Sequence, residues 1–259
     1  METALEQLKR SRAFLCLECG KCTAVCPISR ANSQYSPRRL LAEGLFYGAS
    51  DLASNRMLWS CLTCQLCSRR CPVDVKYSEF MRDIRAIAQS NGFLGNPSHG
   101  GAMHHIMEMA ASPKLKQNRT GWITDDLKVK KTGEVLYFVG CLPYYEQLFG
   151  KDFEFSPISI AHDTVKVLNK LGIEPVVMDN ERCCGHDLYW LGQLDKFDEL
   201  GRLNLKEFEK AGIKKIITAC PECALTIKRL YPERLGQDGP EVAHISEIIA
   251  ANKGKLRFK

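Results

Sequence analysis

Three things are missing from this chain of 259 residues, and each removes a class of function. No hydrophobic run can span a bilayer: the longest stretch free of Asp, Glu, Lys and Arg covers 86–107, and it is broken by Asn91, Gly92, Asn96, Pro97, His99, Gly100 and Gly101. The opening METALEQLKRSR lacks the apolar core and small-residue cleavage site of an export signal, so a cytoplasmic setting is expected, with any membrane approached only through partners. No G-x-G-x-x-G follows a strand pattern and no G-x-x-x-x-G-K-[ST] occurs, which excludes the usual dinucleotide and NTP sites.

What the chain has in excess is cysteine, thirteen residues of it. In a reducing compartment such a number points to metal or redox chemistry rather than to disulfides. Eight of the thirteen fall in one phrase written twice. Cys16-Leu17-Glu18-Cys19-Gly20-Lys21-Cys22-Thr23-Ala24-Val25-Cys26-Pro27 is C-x2-C-x2-C-x3-C-P, and Cys61-Leu62-Thr63-Cys64-Gln65-Leu66-Cys67-Ser68-Arg69-Arg70-Cys71-Pro72 repeats it without a gap. In two-cluster ferredoxins this spacing lets three close thiolates hold one cubane while the fourth reaches the other. The expected ligand sets are Cys16, Cys19, Cys22 and Cys71 for one [4Fe-4S] cluster, and Cys61, Cys64, Cys67 and Cys26 for the second. A pair of zinc sites is the alternative, since C-x2-C suits zinc, but zinc gives no reason for two identical four-cysteine runs each followed by proline.

The formal net charge is +6. An oxidised [4Fe-4S] cluster with its four thiolates carries about −2, so two clusters bring the sum to roughly +2 and a third to about zero. The basic balance therefore does not indicate a nucleic-acid partner.

The texture changes along the chain. Over 1–92 it is helical: Leu5, Leu8, Phe14 and Leu15 form an apolar set, Ser36-Pro37 opens a helix as N-cap and first turn, and Phe80, Met81, Ile84, Ile87 and Ala88 make a stripe over 77–88. Residues 93–133 read as a connector with a short helix near 102–111. Over 134–259 strand and helix alternate: strands at 135–139, 176–178 and 213–218, helices at 159–171, 188–210 and 222–230, the last halted by Pro232. The expected fold class is α + α/β, an all-helical ferredoxin module followed by an α/β domain with a mostly parallel sheet.

The other five cysteines lie in the second region, each group after a strand pattern: Cys141, then Cys183-Cys184-Gly185, then Cys220-Pro221-Glu222-Cys223. Loops at the carboxyl ends of parallel strands gather on one side of a sheet, so the five thiols are expected to converge. Cys220-x-x-Cys223 opening a helix also fits a thioredoxin-like dithiol, and Cys183 and Cys184 fit plain burial. Neither alternative accounts for Cys141. His162, His186 and Asp187 are candidate proton donors near this site, though such residues are more often ordinary polar surface residues; His104 and His105 read as connector rather than ligands.

At these residues the chain resembles the CCG domain of heterodisulfide reductase, found also in glycolate oxidase iron–sulfur subunits and in DsrK proteins. The first module is similar to the helical ferredoxin module of heterodisulfide reductase and of succinate dehydrogenase iron–sulfur subunits, and the two resemblances together cover nearly the whole chain. They imply a third iron–sulfur cluster, cubane or non-cubane, on Cys141, Cys183, Cys184, Cys220 and Cys223, with Cys183 and Cys184 carrying the chemistry on a disulfide or related sulfur substrate. They further imply flavin- or iron–sulfur-containing redox subunits as partners. Many relatives have two CCG modules, and 241–247 resembles the end of the first, so a second is expected on a partner. The rival expectation is a conduit without a substrate, carrying electrons between a flavin dehydrogenase and quinone or another acceptor.

Overall fold

The computed structural model describes residues 9–93, 95, 98–152 and 154–256; Leu5 and Leu8 lie outside them. The chain forms two compact units, one of residues 1–102 with 187–194 and one of residues 103–186 with 195–259.

The first unit is helical, with no strand among its described residues. Its helices are α1 (Lys21–Val25), α2 (Pro27–Ala31), α3 (Pro37–Phe46), α4 (Ala49–Ala53), α5 (Leu66–Arg70) and α6 (Tyr77–Ser90). Ser36 caps α3 as its pattern predicts, accepting the Arg39 N–H at 3.3 Å, and Pro37 occupies the first turn, where its missing N–H costs nothing. Along α6, Tyr77, Phe80, Met81, Ile84 and Ala88 recur at helical spacing and are all buried against Leu40, Leu41, Leu52 and Leu58. Arg82, Asp83 and Arg85 on the same helix are buried as well, which the apolar stripe does not foretell. Segment 187–194 completes this unit through polar contacts with α6: Arg82 Nη1 donates to the Tyr189 hydroxyl, and Gln193 Nε2 to Gln89 Oε1 at 3.1 Å.

Along the rest of the chain come α7 (Ala102–Ala110), β1 (Val135–Phe138), α8 (Leu142–Phe149), α9 (Ser159–Lys170), then α10 (His186–Leu191), which belongs to the first unit from Asp187 on, and α11 (Leu194–Lys210), β2 (Lys215–Thr218), α12 (Pro221–Leu225), α13 (Tyr231–Leu235), β3 (Glu241–His244) and α14 (Ile245–Ala251). The sheet of the second unit is parallel throughout in the order β1-β2-β3, with Val135 opposite Lys215 and Lys215 opposite Glu241. Side chains alternate along β1. Tyr137 and Val139 join Ala161, Val165 and Leu168 of α9 and Ile248 of α14 in one core, while Phe138 meets Phe208 of α11 edge-on at 6.1 Å. Helices therefore cover the sheet on both sides, and the helical-then-α/β order read from the sequence is the order found.

Details differ from the pattern. Residues 176–178 make only isolated bridges, Val176 with Leu136 and with Lys130: the Tyr137 N–H reaches the Val176 carbonyl at 2.9 Å and the Val176 N–H reaches the Val135 carbonyl at 2.8 Å, after which the chain leaves. The third full strand is instead Glu241–His244, whose polar ends leave only Val242 and Ala243 as an apolar signal. The helix expected over 188–210 is two, broken at Gly192, whose φ of 86° is left-handed. Pro232 does not stop the helix before it. It sits in the first turn of α13, and the missing N–H is absorbed by a π turn over Thr226–Leu230, so the run ends only at left-handed Gly236.

Candidate metal centres

The two cysteine runs of the first unit fold alike. The residue before each second cysteine is left-handed (Glu18 φ 50°, Thr63 φ 51°), as is the residue capping the helix that follows (Gly20 φ 74°, Gln65 φ 62°). Cys26 and Cys71 close α1 and α5 with the same backbone, φ −73° in each. Three of these four left-handed positions carry side chains, a conformation L-residues avoid unless their surroundings hold them there. The winding brings each run's three close thiols to one cavity. Because α1 packs on α5, the fourth thiol of each run reaches the other's: Cys71 lines the cavity of Cys16, Cys19 and Cys22, and Cys26 lines that of Cys61, Cys64 and Cys67. Cys67 also touches the wall of the first cavity, and Tyr77 lies between the two.

Burial pushes the Cys22 and Cys61 thiols above their ordinary range and Cys67 up to about 12, the last also through its neighbour Cys61. At Cys61 the Thr63 N–H, 3.4 Å from the sulfur, then Arg85 and Tyr35, pull the other way. Without metal these thiols are neutral, and iron must displace their protons to be held.

The second unit gathers the other five cysteines at the carboxyl ends of β1 and β2. Cys141 caps α8, Cys220 caps α12, and Cys183-Cys184 come from the loop that follows Val176. Cys141 and Cys183 sulfurs lie 3.5 Å apart, and further thiol contacts join Cys183 to Cys184, Cys184 to Cys223, and Cys223 to Cys220. All five are free thiols in one continuous group. Gly140 makes the convergence possible: its φ is 65°, and a Cβ there would stand 3.0 Å from the Cys223 sulfur. Contact with Cys183, then burial, raises Cys141 and Cys184 well above the ordinary thiol range; Cys184 and Cys220 do the same to Cys223. Cys220 moves oppositely, down to about 7, held by the Cys223 thiol and by the Cys223 N–H at the head of α12. That is the polarity of a reactive dithiol, yet Cys223 is equally tied to Cys184, which an isolated C-x-x-C pair leaves unexplained.

Several residues that support this group give no signal in the sequence. Asn204 accepts the Arg182 N–H at 3.1 Å and donates to the Cys183 carbonyl at 3.0 Å, while the Tyr231 hydroxyl donates to the Cys184 carbonyl at 3.0 Å. The paired cysteines are thus gripped by their backbone carbonyls rather than by their sulfurs alone. Glu181, fully buried, accepts the Val139 and Gly140 N–H groups at 3.1 and 2.9 Å and pairs with Arg119 at 2.9 Å. Arg119 also donates to the Gly140 carbonyl and lies over the Tyr144 ring at 4.6 Å. Its Nε and Nη1 are buried with no acceptor among the described residues. Two unused cationic donors next to the residue preceding Cys141 fit an anionic iron–sulfur group, as do five soft thiols, one more than tetrahedral zinc takes.

The histidines divide. His186 contributes its backbone N–H to Cys184, and its ring stands 3.6 Å from Glu222. His162 meets Trp122 instead, through the carbonyl at 2.7 Å and the ring at 5.7 Å. His104 and His105 lie on α7, the short helix expected in the connector, both within 3.6 Å of Glu108.

Comparison with known proteins agrees with this chemistry. Residues 12–75 match a family described as a 4Fe-4S dicluster domain, and residues 135–228 match the CCG cysteine-rich domain. The chain is 27% identical over 263 residues to a subunit of the dihydromethanophenazine:CoB–CoM heterodisulfide reductase of Methanosarcina barkeri, with 91% of this chain and 62% of that one covered. It is 26% identical to a subunit of the CoM/CoB fumarate reductase of Methanothermobacter marburgensis (94% and 48% covered) and to the EtfAB:quinone oxidoreductase of Syntrophomonas wolfei (80% and 29% covered). The chain spans less than two thirds of the length of each. Among the described residues no helix is long and apolar enough to cross a membrane. The chain thus joins a 4Fe-4S dicluster domain, with its two [4Fe-4S] clusters, to a CCG cysteine-rich domain that supports a further iron–sulfur cluster, and over most of its length it is similar to heterodisulfide reductase and other oxidoreductase iron–sulfur subunits.

Proposed function

We propose that this chain is the electron-transfer subunit of a heterodisulfide reductase-like oxidoreductase. Its dicluster domain receives electrons from a flavin- or iron–sulfur-containing partner, and its five-cysteine site delivers them to a disulfide or related sulfur substrate. The observation that carries the reading is the unbroken thiol group Cys141, Cys183, Cys184, Cys223 and Cys220, because a cubane needs four thiolates and a fifth leaves ligation free to change. When bound, the cluster there supplies single electrons to substrate sulfur. The overall step is R–S–S–R′ + 2 e⁻ + 2 H⁺ → RSH + R′SH, so two electrons arrive singly and two protons follow. Asn204 and Tyr231 hold the Cys183 and Cys184 carbonyls while the thiols act, and Gly185 lets the backbone turn tightly against Phe197 and Leu200. A second CCG module on a partner would supply a further site of the same kind.

The iron-loaded chain reduced by dithionite tests this. On mixing with a small soluble disulfide, its paramagnetic signals should vanish and two thiols should appear per disulfide consumed. Reoxidation by a soluble quinone with no response to any of a panel of disulfides would select the conduit reading, which the quinone-linked relative favours.

The crossed ligand sets are open to a separate test. Since Cys26 lines the cavity of Cys61, Cys64 and Cys67, Cys26→Ser should disturb that cluster's paramagnetic signal and spare the one beside it in sequence. Loss of the Cys16 cluster alone would refute the crossing.

A further inference from the structure

Arg85 on α6 is a buried cation with no carboxylate partner among the described residues. It is 4% exposed, and its guanidinium donates to the Leu58 carbonyl at 3.1 and 3.3 Å, to the Cys61 carbonyl at 2.6 Å and to the Trp190 carbonyl at 3.2 Å. Its carbon centre stands 5.6 Å from the Trp59 ring. Among the described residues no carboxylate pairs with it, whereas Arg82, one turn earlier and just as buried, has Asp83 at 2.7 Å. A charge removed from water needs an opposite charge nearby, and neutral carbonyls supply only part of that. The ionisable groups acting on Arg85 are Cys61, Tyr35 and Tyr77. The two tyrosine hydroxyls share a hydrogen bond at 3.3 Å, and a phenol carries no charge at neutral pH. What remains is Cys61, an anion once it ligates iron.

Among the described residues the wall of the other cavity holds no buried cation: Lys21 there is exposed. The arginine in its wall, Arg38, is 41% exposed in its side chain and already paired with Glu18 at 3.0 Å. Two cysteine runs of identical spacing and matching backbone therefore differ by one buried positive charge. Reduction adds an electron to a cluster, and a fixed cation in a low-dielectric interior favours the reduced form.

We propose that Arg85 is the counter-charge of the cluster held by Cys61, Cys64 and Cys67, and that it sets this cluster at the higher reduction potential of the two. An electron entering the dicluster domain then comes to rest on the Cys61 side. The inference rests on the iron–sulfur assignment of this run but not on the identity of the substrate or on which run supplies the fourth ligand.

The test is a redox titration of the iron-loaded full chain followed by paramagnetic resonance, with signals assigned by their loss in Cys61→Ser or Cys16→Ser. In the unsubstituted protein the Cys61 signal should develop first. Arg85→Gln should shift that signal to lower potential by at least a tenfold change in the reduction equilibrium, 59 mV for a one-electron couple, and leave the Cys16 signal in place. Arg85→Lys, which keeps the charge, should stay near the original value; a merely structural role predicts that Lys and Gln behave alike. An unshifted Cys61 signal in an Arg85→Gln protein of full iron content overturns the proposal, as does an equal shift of both signals. If Arg85→Gln fails to hold iron, the order of the two signals in the unsubstituted protein decides, and a Cys16 cluster reduced first overturns it. Failure of disulfide turnover would leave these potentials unchanged, so the two ideas fail separately.

Discussion

Cys183→Ala and Cys184→Ala should each strip iron from the CCG site and abolish disulfide reduction, while both dicluster-domain clusters remain reducible by dithionite. The two thiols are 1% and 3% exposed and stand between Cys141 on one side and Cys223 on the other, so removing either interrupts the thiol group in its middle. The backbone should survive. Its carbonyls are held by Asn204 and Tyr231, which do not depend on the sulfurs, and a buried Cys→Ala change removes one atom. Iron and sulfide content per chain, with paramagnetic spectra of the dithionite-reduced variants, gives the answer. Full iron and full activity in both variants would make the pair structural and sink the reading. The effect should also be local, since the dicluster ligands belong to the other compact unit.

Why these cysteines could be picked out from the sequence, and their surroundings could not, comes down to sequence distance. The spacing C-x2-C-x2-C-x3-C is itself geometry: three thiols within seven residues can only face one object, and the backbone that achieves it, left-handed at Glu18 and Gly20, recurs at Thr63 and Gln65. The five-cysteine site was legible because each group follows a strand pattern, and parallel strands deliver their ends to one side. Even there the reading was imperfect. Val176 makes a bridge rather than a strand, yet the loop after it still brings Cys183 to Cys141, because one ladder position on β1 suffices to fix its direction. Arg85 meets partners 24 and 105 residues away, and Arg119 meets Glu181 at a separation of 62. A single sequence shows an arginine in both cases as one more solvated charge, and only packing reveals that both are buried. The break at Gly192 was hidden for a related reason: hydrophobic periodicity continues through it, while only the packing shows that a Cβ there would stand 2.7 Å from the Ala86 Cβ and 2.8 Å from the Arg82 carbonyl.

The second large effect is expected at Arg119. Arg119→Met should destabilise the iron-loaded chain by about 3–5 kcal/mol, the usual result of leaving one member of a buried ion pair behind. Glu181 would keep the Val139 and Gly140 N–H donors but lose its cation, in a site whose neighbours are thiolates. Glu181→Gln should cost less, since the cluster's own thiolates remain as counter-charge for Arg119. The pair is coupled, so Arg119→Met with Glu181→Gln should recover part of the loss instead of summing the two. The loss in Arg119→Met also has a definite pH dependence. Burial lifts the Glu181 carboxyl to about 7 even while Arg119 and two backbone N–H groups pull it down, and without Arg119 it must rise further. A carboxyl whose folded value lies above its unfolded one stabilises the fold below the unfolded value and loses that contribution as pH rises through the folded value. Arg119→Met should therefore approach the original stability at about pH 5.5 and fall furthest behind at about pH 9, with the difference nearly absent in the double variant. Urea denaturation at the two pH values measures it. A pH-independent loss, or strict additivity of the two substitutions, would mean that Arg119 acts on the Gly140 carbonyl and the Tyr144 ring alone, and that the charge pair beneath Cys141 contributes nothing to holding the site.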